Sequence, residues 1–123
     1  MITGVHAILY ATDAARVRAF LGDVLGFRSV ETGTPDEPWP IYALPPAELG
    51  VHPHDDTHHE LYLMCDDITS TVAELRAKGV EFEGGVEDQG WGLMAVMRIP
   101  GGGNLGLYEP RHETAMGLDG RQP

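Results

Sequence analysis

Two residues with the side-chain chemistry of a metal site occupy matching places in the chain. His6 opens the alternating run "HAILYATD", and Glu60 opens "ELYLMCDD". Imidazole nitrogen and carboxylate oxygen are the usual ligands of Zn, Mn, Fe, Co and Ni in sites that leave a position free for substrate. A carboxylate on a largely apolar strand also needs a cation, a metal or water to offset its desolvation. We therefore take His6 and Glu60 as candidate metal ligands, and Glu60 also as a candidate catalytic base.

The surroundings of these two residues form an internal repeat. The segment "HAILYATDAARVRAFL" (6–21) aligns without gaps with "ELYLMCDDITSTVAEL" (60–75), and "LGVHP" resembles "LGLYEP" further along each copy. Each copy is typical of an alternating strand, an Asp N-cap at Asp13 or Asp67, an amphipathic helix and three short strands. Besides a strand that starts at Glu60, strands are expected near 5–11, 28–32, 40–44, 47–52, 80–87, 93–98 and 104–109. The sequence thus predicts an α+β fold of two βαβββ modules.

The strand period of two separates a packing face from a face that carries functional groups. Leu61, Leu63 and Cys65 share one face of their strand, so Cys65 is interpreted as a structural thiol. The opposite faces of the two half-sheets would line a concavity, which is the common form of a small-molecule pocket. The candidate substrate contacts in it are Tyr10, Tyr62, Trp91, Met94 and Tyr108, although aromatic and Met side chains at this spacing also suit a plain core.

A third metal ligand has to come from a neighbouring strand. His52 is in phase with the functional face and is the best candidate, with Glu48 and Glu109 in reserve, but His52 also fits an exposed strand end. The remaining histidines of "HPHDDTHH" fit a polar loop, because His-rich loops are weak evidence of metal binding; they are His54, His58 and His59.

Composition excludes several classes of partner. The 123-residue chain carries 8 Lys and Arg against 19 Asp and Glu, a formal net charge of -11. Nucleic acid and anionic membranes are therefore excluded as partners, since binding to polyanions relies on clustered cations. Cys65 is the single cysteine, no apolar run reaches about 18 residues, and the start "MITGVHAILY" lacks a basic region and a cleavage site. A cytoplasmic location is expected.

These features together resemble the vicinal oxygen chelate superfamily, which includes glyoxalase I, extradiol dioxygenases, fosfomycin-modifying enzymes and bleomycin-resistance proteins. The likeness rests on "HAILYATD" with a helix ending "VLGF", on "ELYLMCDDI" and on "WGLMAVMRIPGGGNLGLYE". The resemblance implies an open, cupped mixed sheet in a single domain over 1–112, with modules at 4–54 and 58–112 and a loose tail at 113–123. It also implies a homodimer.

The resemblance bears on the metal site as well. In metal-dependent members the ligands come from the first residue of each module's opening strand and from a central residue of its fourth strand. The first pair carries over to His6 and Glu60, whereas the second pair falls on Gly50 and Gly106, which offer no ligand.

Two functions from different classes follow. The first is a small-molecule enzyme, a lyase, isomerase or dioxygenase, in which a divalent Fe, Mn, Zn, Ni or Co ion held by His6, His52 and Glu60 acts as a Lewis acid on an oxygen-bearing substrate. The second is a metal-free binding protein of the bleomycin-resistance type, which Gly50 and Gly106 favour. A structural dimer module is a third possibility, if Tyr and Met side chains close the inner face.

Overall fold

A computed structural model of the protein describes residues 6–51 and 53–116. Within these ranges the chain forms helix α1 (Ala14–Ala19) continued by a π-helical turn (Phe20–Val24), strands β1 (Ser29–Gly33), β2 (Pro38–Tyr42) and β3 (Tyr62–Met64), helix α2 (Ile68–Ala77), and strands β4 (Glu81–Asp88), β5 (Gly92–Ile99) and β6 (Gly103–Pro110). No helix in the described part of the chain is long and apolar enough to span a membrane.

The second module is a complete βαβββ unit. Its four strands form one sheet in the order β3-β6-β5-β4, in which β3 pairs with β6 in parallel and the other neighbours are antiparallel. The parallel pair follows from the crossover through α2, since parallel strands cannot be joined by a tight turn. The predicted α+β class and the mixed sheet are confirmed.

Both predicted helix starts are confirmed. The Asp13 carboxylate accepts a hydrogen bond from the Arg16 N–H at 3.2 Å, and the Asp67 carboxylate accepts one from the Ser70 N–H at 3.2 Å. Each cap satisfies a backbone donor that has no partner inside the first helical turn. The apolar stripe of the first helix continues into the π-helical turn, where the Leu25 N–H donates to the Phe20 carbonyl at 3.1 Å.

One apolar core joins the two modules. Helix α2 buries Ile68, Val72 and Leu75 against β5 and β6, and Met97 of β5 is fully buried. Helix α1 adds side chains to the same core, and a Cβ built on Gly102 would lie 2.5 Å from the Val17 side chain. The close approach explains why a glycine stands in the β5–β6 turn.

The first module differs from the prediction. Residues 6–11 and 47–51 form no strand, and β1 and β2 pair only with each other as a separate two-stranded sheet. A strand needs a hydrogen-bonded neighbour, and neither segment has one in the described chain. The hairpin packs against the first helix through Tyr42, whose hydroxyl donates to the Arg18 carbonyl at 3.2 Å, while its other face leaves Trp39 69% exposed.

Removal of the α2 cap should weaken the fold measurably. Asp67→Ala is expected to lower the free energy of unfolding by about 1 kcal/mol, since the Ser70 N–H loses its partner. Urea denaturation followed by circular dichroism measures the change. Asp66→Ala, at the exposed preceding position, is the matched control and should stay within about 0.5 kcal/mol of the wild type. Equal losses in the two variants would contradict the capping role.

Candidate functional site

A cavity of about 470 Å³ lies between the segment at residues 8–10 and the face of the second-module sheet that does not carry α2. Its size is typical of a small-molecule pocket. The lining is mostly apolar and consists of Ile8, Leu9, Tyr10, His59, Glu60, Leu61, Tyr62, Met94, Val96, Gly102, Asn104, Leu105 and Gly106.

Glu60 brings negative charge to this cavity. It stands just before β3, and it is the only carboxylate among the described lining residues. Its carboxylate accepts a hydrogen bond from the Tyr62 hydroxyl, and its Oε1 lies 3.3 Å from Nε2 of His58. The hydrogen bonds from Tyr62 and His58 lower the pKa of Glu60, so the group is ionised at neutral pH.

Tyr62 packs its ring directly on Gly106 of the neighbouring strand. The two residues are register partners, and a Cβ built on Gly106 would lie 2.3 Å from Cδ1 of Tyr62. Any side chain at position 106 would therefore displace the ring. The hydrogen bond to Glu60 comes first among the causes that raise the pKa of Tyr62 to about 12, ahead of burial.

Three aromatic side chains continue from the cavity along the sheet. The rings of Tyr62 and Tyr108 meet edge to face at 5.8 Å between centroids, and those of Trp91 and Tyr108 do so at 5.3 Å. Such contacts stabilise the arrangement beyond the area that they bury. Tyr62, Tyr108 and Trp91, which we call the aromatic row, offer ring faces and edges next to the cavity.

The two carboxylates considered as reserve ligands are engaged elsewhere. Glu48 accepts hydrogen bonds from the Tyr108 hydroxyl at 3.2 Å and from the Ala115 N–H at 2.8 Å. Burial and the charge of Glu48 raise the pKa of Tyr108. Glu109 accepts a hydrogen bond from the Ile68 N–H at 3.0 Å, at the start of α2. Glu109 thus lies on the side of the sheet that carries α2. Because it is three residues from Gly106 along the strand, its side chain is expected on the opposite face from position 106.

The structure brings together part of the predicted site. Tyr10, Tyr62 and Met94 line the cavity with Glu60, whereas Trp91 and Tyr108 belong to the aromatic row. Of the predicted metal ligands, His6 is exposed and lies two residues before the lining segment, and His52 lies outside the described residues. The set His6, His52 and Glu60 therefore stays a prediction.

One group of residues outside the cavity also brings potential metal ligands together, although its histidines are weak candidates from the sequence. Ring nitrogens of His54 and His58 and a carboxylate oxygen of Asp56 all lie within 4.8 Å of one another. We call these three residues the linker cluster. The spacing of these residues at every second position is the sequence feature that could have indicated a metal site. The sequence analysis instead assigns the segment to a polar loop.

Comparison with known families accounts for this architecture. Residues 4–112 match the family model described as Glyoxalase/Bleomycin resistance protein/Dioxygenase superfamily. The chain belongs to this superfamily. The match extends over both modules, including the first module, whose outer segments form no strands. The resemblance inferred from the sequence motifs is confirmed.

Solved structures of several superfamily members are similar to this chain. TnmS3, an antibiotic binding protein from Streptomyces sp. CB03234, is 23% identical with a TM-score of 0.64, covering 89% of this chain and 97% of its own. Lactoylglutathione lyase from Agrobacterium tumefaciens is 16% identical with a TM-score of 0.61, and the match covers 87% of this chain and 92% of the lyase. FosX is a fosfomycin resistance protein from Listeria monocytogenes whose structure contains Mn(II). It is 15% identical with a TM-score of 0.57, and the match covers 88% of this chain and 93% of FosX. These likenesses establish the fold, and no curated protein is significantly similar to the chain.

The contact between Tyr62 and Gly106 can be tested by a double-mutant cycle. Gly106→Ala is expected to lower the free energy of unfolding by about 1–3 kcal/mol, because the new Cβ overlaps the ring. The same substitution should cost much less in a Tyr62→Ala background, where no ring is left to displace. Tyr62→Phe is the matched control, since it keeps the ring and should keep the cost. An additive cycle in urea denaturation would rule out this contact.

The hydrogen bond between Tyr62 and Glu60 should be visible in a tyrosine titration. Ultraviolet absorbance is expected to show one tyrosine with a pKa near 12, and Glu60→Ala should move that pKa down toward 10. Because the raised pKa favours the neutral phenol in the folded state, this stabilisation is present below about pH 10 and is lost as the pH rises through 12.

The control is Glu81→Ala, which removes a carboxylate from the opposite edge of the sheet, where Glu81 pairs with Arg98. It should leave the titration unchanged. A curve that is the same in wild type and Glu60→Ala would show that Glu60 does not hold the phenol proton.

Proposed function

We propose that the protein is a small-molecule binding protein that captures a ligand with an aromatic or apolar body and a positive charge. One observation carries the proposal: the ring of Tyr62 covers Gly106, the place at which the family resemblance puts a metal-binding carboxylate. In this chain an aromatic surface stands where metal-dependent members have a ligand. The cavity is therefore better suited to contact with a ligand than to chelation through a metal.

The donor groups around the cavity support the same conclusion. Gly106 offers no donor, and the carboxylates of Glu48 and Glu109 already accept hydrogen bonds from other groups. Glu60 is the remaining carboxylate among the described residues of the cavity. With the imidazole of His59, the other usual ligand group among the described lining residues, the cavity offers two protein ligands, fewer than the three that an open catalytic metal site usually has.

The charge of Glu60 selects the kind of ligand. An ionised carboxylate beside apolar walls is stabilised by a cation that the ligand brings with it. The aromatic row adds ring faces, which attract organic cations through the ring quadrupole. A net charge of -11 raises the local concentration of cations around the protein and disfavours anions.

A structurally similar protein, the cellular location and the oligomeric state also belong to this proposal. TnmS3 is described as an antibiotic binding protein, and binding of such a compound would suit the open cavity of this chain. We further propose that the protein works in the cytoplasm as a homodimer. The apolar hairpin face around Trp39 supports association with a second copy.

A metal-dependent lyase, isomerase or dioxygenase is the second candidate function. The ionised carboxylate of Glu60 beside the cavity favours it, because such a group can bind a metal or accept a proton from a substrate. In that function His6 and His52 would supply imidazole ligands, and the bound Fe, Mn, Zn, Ni or Co ion would supply Lewis-acid chemistry.

A ligand panel separates these alternatives. Aromatic compounds of matched ring size that are cationic, neutral or anionic should bind in that order of affinity, followed by fluorescence of Trp91. Glu60→Gln is expected to weaken the cationic compounds about tenfold, the loss of one charged contact, and to leave the neutral ones within about twofold. The chain has a second tryptophan, Trp39, in the hairpin. Loss of the fluorescence change in Trp91→Phe would show that Trp91 reports binding.

Metal dependence is read out in the same titrations. Binding should be unchanged after treatment with a chelator. A requirement for Mn, Fe, Co, Ni or Zn that is lost in both His6→Ala and Glu60→Ala would overturn the binding function in favour of the metal-dependent enzyme. A lack of preference for cationic compounds would exclude the proposed role of Glu60.

A further inference from the structure

The linker between the two modules carries a second group of potential metal ligands. A bend at Asp55 and Asp56 turns the chain back on itself, so that the rings of His54 and His58 meet edge to face at 4.8 Å between centroids. Both rings flank the side chain of Asp56, and all three linker-cluster residues are exposed.

The donor atoms of the linker cluster converge on one point. Nδ1 of His54 lies 2.6 Å from Oδ1 of Asp56, and Nδ1 of His58 lies 3.2 Å from the same oxygen. In a tetrahedral site with metal–nitrogen distances of about 2.0 Å, neighbouring ligand atoms stand about 3.3 Å apart. The His58–Asp56 distance matches this value, the His54–Asp56 distance is that of a hydrogen bond, and all three ligand atoms lie within 4.8 Å of one another. Side-chain rotations that separate His54 from Asp56 would give the spacing of a coordination sphere.

His58 has a further partner that favours metal binding. Its other ring nitrogen, Nε2, lies 3.3 Å from Oε1 of Glu60. A proton on Nε2 that is donated to Glu60 leaves the lone pair of Nδ1 free for a metal. Metal-bound histidines usually donate the proton of their second nitrogen to a carboxylate, a backbone carbonyl or water, which fixes the tautomer and the ring orientation.

We infer that His54, Asp56 and His58 form a binding site for a divalent transition-metal ion of the Zn²⁺ or Ni²⁺ class. Two imidazoles and one carboxylate suit these ions, whereas Ca²⁺ and Mg²⁺ prefer oxygen ligands alone. The exposed position leaves the other coordination sites to water. The inference is independent of the function proposed for the cavity, since the linker cluster shares no residue with the cavity lining.

Metal binding would also act on the cavity. An ion that fixes the ring of His58 holds Nε2 beside Glu60, and Glu60 in turn accepts the hydrogen bond from Tyr62. The carboxylate would then be held in one orientation where it faces a ligand.

The test is a Zn²⁺ titration of the full chain without a histidine tag, by calorimetry and by competition with a chromogenic chelator. One Zn²⁺ per chain is expected. His54→Ala, Asp56→Asn and His58→Ala should each lower the affinity at least tenfold, and Glu60→Gln should lower it about tenfold through His58. His59→Ala is the matched control because it removes the adjacent histidine, and it should stay within about twofold. His6→Ala, which removes an imidazole of the second candidate function, distinguishes the linker cluster from a metal site at the cavity.

Absence of Zn²⁺ binding by the wild type would overturn the inference. Loss of binding in His6→Ala with retention in His58→Ala would do so as well, because it would assign the metal to the cavity. Nitrogen-15 spectra of the imidazoles add a direct readout: Zn²⁺ is expected to shift Nδ1 of His58, and a shift of Nε2 instead would contradict the proposed ligand atom. Circular dichroism of each variant checks that this exposed segment can be altered without unfolding.

Discussion

The packing of two helices on one face of the second-module sheet is the constraint on which the rest of the structure depends. Burial of Ile68 and Met97 between α2 and β5 removes apolar surface from water, the main favourable term in folding. Because side chains alternate along a strand, this burial directs every second residue of β5 and β6 to the other face. The cavity lies on that second face, where the helices do not pack, and it is lined there by Tyr62, Met94 and Gly106.

The cavity face depends on a missing side chain. Gly106 allows the ring of Tyr62 to lie against the neighbouring strand, and the ring brings its hydroxyl to Glu60. One glycine therefore makes room for the Tyr62 ring and, through it, for one of the two side-chain hydrogen bonds that lower the pKa of Glu60. Metal-dependent members of this fold have a metal ligand at the position of Gly106, whereas here the ring of Tyr62 covers that position. A small molecule would therefore contact an aromatic surface there and not a bound metal, which is the basis for the proposed binding function.

Glu60 connects two parts of the molecule with different chemistry. On one side it faces apolar and aromatic groups of the cavity, and on the other it contacts His58 of the linker cluster. Carboxylates with two hydrogen-bond donors are held in place and stay ionised. The linker between the modules is thus joined to the cavity by one side chain, although its described residues have no regular secondary structure.

Local patterns in the sequence determined the helix starts at Asp13 and Asp67, the faces of β5 and β6, the α+β class and the superfamily, because caps and strand alternation act over a few residues. The segments at 6–11 and 47–51 alternate in the same way but form no strand, since pairing needs a neighbour that only the folded chain supplies. The partners of Glu48 and Glu109 and the convergence of His54 and His58 on Asp56 likewise come from the tertiary structure. The sequence alone indicated Glu60 and the aromatic residues of the cavity as candidates, whereas the linker cluster became evident only from three-dimensional contacts.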